Sequence, residues 1–79
     1  MDGGRNLLDA VGPALYGARW QSPLARDLGV TDRTMRNWVA QKHEVPDHVP
    51  RQLHRLLLER GSAVQSTIAL VERHLHRAE

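Results

Sequence analysis

The stretch Gln21-Ser22-Pro23-Leu24-Ala25-Arg26-Asp27-Leu28-Gly29-Val30-Thr31-Asp32-Arg33-Thr34-Met35-Arg36-Asn37-Trp38 decides the fold. Two short helices that cross at a steep angle need a tight turn between them. Close approach requires a small residue, and Ala25 supplies it. The turn requires the left-handed backbone conformation, which glycine adopts freely, and Gly29 stands there. Leu24, Leu28, Val30, Met35 and Trp38 then plug the angle between the helices. Ser22 before Pro23 reads as an N-cap and first helical position. Thr31 reads as the cap of the next helix, with Asp32 in its first turn beside the positive end of the helix dipole. The helix-turn-helix is predicted from about Gln21 to Gln41, fading by Lys42 or His43.

Working outward, Leu7, Leu8, Val11 and Leu15 recur at helical spacing and predict a first helix. Pro13 lies inside that pattern, so a kink or break is expected near Gly12-Pro13. Gly17 is expected to end the segment. A fourth helix is expected to start near Asp47 as its cap, with Pro50 in its first turn. Beyond it, Leu57, Gly61, Val64, Ile68, Val71, Leu75 and Ala78 recur in alternating steps of four and three, a heptad seam held in phase across Gly61. That phase favours one long helix, with room for a kink at Gly61-Ser62, over two helices broken there. The fold class is therefore all-α: a compact four- to five-helix domain with a helix-turn-helix and a long C-terminal helix. Residues 1–79 form a single domain, whose C-terminal helical segment covers about 47–78.

The chain has 79 residues and no cysteine, which leaves no disulfide framework and no thiolate metal site. The Met1-Asp2-Gly3-Gly4 start lacks the pattern of a signal peptide. Apolar runs such as Leu56-Leu57-Leu58 are far too short for a membrane span. A soluble cytoplasmic protein without membrane partners is expected. Net charge is only +2, but it is unevenly spread. Positive charge concentrates between Arg19 and Arg55, the part that holds the helix-turn-helix. A basic face there suits phosphates, although a solvated surface would look similar.

On Gln21, Leu24-Ala25, Leu28-Gly29-Val30-Thr31 and Arg33-Thr34-Met35-Arg36-Asn37-Trp38, the chain resembles the helix-turn-helix of the phage repressor (Cro and cI-type) superfamily. The resemblance is firm over about twenty residues around the turn. Pro23, where that family more often has a polar residue, and the tail from Gly61 onward depart from it. It implies a domain that binds double-stranded DNA, usually as a homodimer on a pseudo-palindromic operator. In such a fold the helix after the turn enters the major groove. Asp32, Arg33, Arg36 and Asn37 are then the base-reading candidates, since arginine pairs bidentately with guanine and asparagine with adenine. Gln21, Ser22, Thr31, Thr34 and Lys42 are the DNA-backbone candidates. Trp38 is expected in the core, while Trp20 either packs under the second helix or touches the DNA backbone.

Chemistry of other kinds finds little footing. His43, His48, His54, His74 and His76 show no metal-ligand spacing, and no nucleophile stands near a base. No enzyme activity, metal or cofactor is expected. The seam offers a rival surface. Leu57, Val64, Ile68, Val71 and Leu75 are the dimerisation candidates, although the stripe could instead pack on the first helix of its own chain. Flanking residues lack the complementary charges of a strong zipper, so antiparallel or four-helix arrangements stand beside a parallel coil. The function expected is that of a transcriptional regulator, an operon autorepressor of phage or mobile-element type. The alternative is an adaptor that works through the seam and keeps the helix-turn-helix as scaffold.

Overall fold

The computed structural model describes residues 3–78. Met1, Asp2, Glu79 and the side chain of the last seam position, Ala78, lie outside the description. The described residues form four helices: α1 (Gly3–Tyr16), α2 (Gln21–Leu28), α3 (Asp32–Val39) and α4 (Val49–Ala78). None is long and apolar enough to cross a membrane.

The core sits where α1, α2, α3 and the first half of α4 converge. Leu8 and Val11 of α1 meet Leu24, Ala25 and Leu28 of α2, Met35 and Trp38 of α3, and Val49 and Leu53 of α4. Leu15, Tyr16, Val30, Val39, Val45 and Leu56 close its margins. Leu7, expected on the buried face, is exposed. It lies one helical step from Leu8, which takes the inward position instead.

α1 runs unbroken through Pro13, against the expected kink or break. The carbonyl that Pro13 cannot serve belongs to Asp9, which is exposed and can turn to water. Gly12 has a different job from interrupting the helix. A Cβ there would collide with the Trp20 ring, so the missing side chain lets the indole lie flat against α1. Gly17 ends the helix with φ 78°, its N–H donating to the Pro13 carbonyl at 2.9 Å.

Two helix starts differ from expectation. α2 begins at Gln21 with Trp20 in the cap position and no side-chain cap, so Ser22 is already helical. Pro23 still falls in the first turn, where no intrahelical N–H is needed. α4 begins at Val49 rather than at a cap on Asp47, because residues 46–49 close a turn first, from the Val49 N–H to the Pro46 carbonyl at 3.1 Å.

α4 has 30 residues and stays helical across Gly61. Glycine there costs about 1 kcal/mol relative to alanine. Nothing lies within 4 Å of where its Cβ would be, so packing inside this chain does not require it. The first half of α4 covers the core. The last tie to the rest of the chain is at Arg60, whose guanidinium donates to Asp27 Oδ2 at 3.2 Å and lies 5.3 Å from the centre of the Tyr16 ring. From there α4 projects alone, giving the molecule extents of 56 × 21 × 20 Å.

Candidate nucleic-acid interface

The turn between α2 and α3 is built as its residues require. Gly29 caps α2 with φ 75°. The Val30 N–H reaches back to the Ala25 carbonyl at 2.9 Å, and Ala25 itself is fully buried. Thr31 is extended, and its hydroxyl accepts from the Thr34 N–H at 3.0 Å. It therefore satisfies one of the donors that a helix start leaves unpaired. The same hydroxyl donates to Thr34 Oγ1 at 3.0 Å.

α3 is fixed at both ends. Arg5 of α1 donates from Nε to the Val39 carbonyl at 3.0 Å, which caps the C-terminus from outside. The chain then folds back on α3. The N–H groups of Ala40, Gln41 and Lys42 find the carbonyls of Arg36, Trp38 and Asn37 at 2.9, 3.1 and 2.9 Å. Gln41 takes a left-handed conformation, φ 63°, to allow this reversal.

Met35 and Trp38 anchor the helix in the core. At 100° per residue, Asp32, Arg36, Arg33 and Asn37 then fall in that order along an arc of roughly 140° on the opposite side. Asp32, Arg33 and Arg36 are exposed and Asn37 is half-buried. These base-reading candidates thus share one outward face.

The backbone candidates divide into two groups. Gln21, Ser22, Thr31 and Thr34 gather where the N-termini of α2 and α3 meet. Ser22 Oγ donates to Asp32 Oδ2 at 3.0 Å across that junction. Asp32 is therefore a brace between the two helices as well as a member of the outward face. Lys42 is exposed at the other end of α3. Trp20 is buried at 8% exposure, so its indole serves packing and is not presented to DNA.

The sequence reading missed the cluster of Tyr16, Asp27 and Arg60. The Tyr16 hydroxyl donates to Asp27 Oδ2, which also accepts from Arg60. Burial first, then the hydrogen bond to Asp27 and the negative charge of that carboxylate, push the phenol up to about 12, against the Arg60 guanidinium. These residues come from α1, α2 and α4, and no local spacing relates them. Arg5 was likewise invisible as a cap for a helix 34 positions away.

Among the described residues no group of three or more His, Asp or Glu side chains is placed to hold a metal ion. No protein-family model matches the chain, and neither curated proteins nor solved structures give a match.

Proposed function

We propose that this chain is a sequence-specific double-stranded DNA-binding transcriptional regulator. In this reading it is an operon autorepressor of phage or mobile-element type. It acts in the cytoplasm as a homodimer on a pseudo-palindromic operator, as a binding protein rather than an enzyme. The observation that carries the reading is the outward arc of α3, mounted on a helix whose other side is locked into the core by Met35 and Trp38.

Each side chain has a role in this account. Arg33 and Arg36 offer bidentate donors to guanine, and Asn37 offers a donor and an acceptor to adenine. Asp32, braced by Ser22, accepts from a cytosine amino group. Gln21 and Thr34 donate to phosphate where the two helix N-termini come together, Ser22 and Thr31 shape that corner through their bonds to Asp32 and Thr34, and Lys42 meets phosphate beyond the C-terminus of α3. Residue types, turn geometry and the resemblance to the Cro/cI-type motif all support this arrangement.

Selection of bound duplexes from a randomised pool at physiological salt tests the reading. A two-fold-related consensus with guanine in each half is the expected result. Recovery of duplexes with no common sequence contradicts it. The adaptor reading draws on a separate observation, the exposed seam of α4. Under it Arg36→Ala leaves all partner binding intact and no consensus emerges.

A further inference from the structure

We propose that the free half of α4 pairs antiparallel with the same segment of a second copy. Leu57 then faces the partner's Leu75, Gly61 faces the partner's Val71 and Val64 faces the partner's Ile68. This deepens the homodimer of the proposed function and rests on that reading for its meaning on DNA.

Three observations on this helix lead there. First, nothing among the described residues supports α4 beyond Arg60, and an isolated helix is marginal in water. Second, Val64, Ile68, Val71 and Leu75 share one face and are 57%, 43%, 51% and 56% exposed. Third, Gly61-Ser62-Ala63-Val64-Gln65-Ser66-Thr67-Ile68-Ala69-Leu70-Val71 contains no charged residue, although every residue in it is exposed. Depletion of charge is what the buried centre of an interface shows, and solvated helices rarely do without it.

Gly61 decides the direction. It opens a notch in the seam that no group of its own chain fills. A parallel pair sets the notch against its own copy and leaves a hole, whereas close packing tolerates few voids. An antiparallel pair seats a valine in it at both ends. The flanks agree with this direction. Residues nearest the two-fold axis must face themselves, and here they are Gln65 and Thr67, both uncharged.

The register also sets a distance. The domains hang on α4 through Val49, Leu53, Leu56 and Arg60. In this pairing the midpoints of the two attachments are separated along the helices by about 35 Å, at 1.5 Å per residue. Successive major grooves on one side of a duplex are about 34 Å apart.

The chain has no cysteine, so single cysteines report the pairing cleanly. Leu57→Cys and Leu75→Cys are prepared separately, oxidised alone and as a mixture, and read as disulfide-linked dimers on a non-reducing gel. Sedimentation equilibrium of the unsubstituted chain runs alongside. The expected result is a species of twice the 8.9 kDa chain mass, little linkage in either variant alone, and abundant linkage in the mixture. Self-linkage of each variant alone means a parallel pair and overturns the proposal. A monomer in sedimentation overturns it as well, as does a dimer without linkage in any sample. The linkage pattern together with a failure to select any DNA consensus upholds the pairing and refutes the DNA reading, so the two fail separately.

Discussion

α3 and the free half of α4 both present a stripe of side chains at helical period, and the two stripes differ in every other respect. The stripe of α3 is polar and cationic, and its helix is short and fixed. A threonine cap holds its start, an arginine from α1 holds its end, and two core side chains hold its back. The stripe of α4 is apolar and uncharged over its middle, on a helix that no neighbour among the described residues supports past Arg60. A fixed polar face can discriminate hydrogen-bonding partners, because little ordering entropy remains to be lost when it binds. An unsupported apolar face gains most from covering itself. The molecule thus divides into a head packed around one core and a helical tail that leaves its apolar stripe exposed.

The largest expected effect separates head from tail. Trp38→Ala removes a core side chain and lowers unfolding stability by ~3–5 kcal/mol at any protein concentration. In the proposed pairing Val71→Ala acts only through association, so its effect should fade in denaturant melts as the protein is diluted. A Val71→Ala loss that is independent of concentration would break the division. Next, Gly12→Ala forces a methyl into the Trp20 ring and is expected to cost ~1–3 kcal/mol. The chain has two tryptophans, so a red shift of fluorescence on Gly12→Ala in a Trp38→Phe background, where Trp20 alone reports, would identify the displaced indole.

Thr31→Ala should cost ~1 kcal/mol by uncapping α3. Its DNA affinity should fall as well, since the outward face loses its fixed start. The tail offers no equivalent capped site within the described seam.

The smallest effect concerns the join between head and tail. The chain has one tyrosine, so absorbance at alkaline pH follows Tyr16 alone. Its folded value of about 12 exceeds the ordinary value of 10.0. The neutral phenol therefore stabilises the fold fully below pH ~10, and that contribution is lost as pH rises toward the folded value. Asp27→Asn should move the midpoint down by removing the negative charge and the strongest acceptor. An unchanged midpoint would mean that burial alone sets it.

Much of the head was legible because its determinants are local. Ala25, Gly29, Thr31, Met35 and Trp38 each act within a few residues of their position, and the structure places each as its type requires. The errors came from non-local competition. Gly12 and Pro13 read as a helix break, but Trp20, beyond the end of α1 and outside its spacing, packs on the helix and needs the glycine. Ser22 looked like a cap but is drawn to Asp32 across the turn. The seam on α4 was legible as a phase, while its exposure could be learned only from how far the core reaches along the helix. Arg60 marks that limit, through partners on α1 and α2 that no sequence period connects.

The most direct measurement is fluorescence anisotropy of labelled duplex DNA from upstream of the chain's own gene, with unrelated duplex as control, at physiological salt. The account predicts preference for the upstream duplex and a loss of ~1–3 kcal/mol in affinity for it on Arg36→Ala. Equal, weak binding to both duplexes, unchanged by Arg36→Ala, would contradict the account and leave the exposed face of α3 as solvated surface.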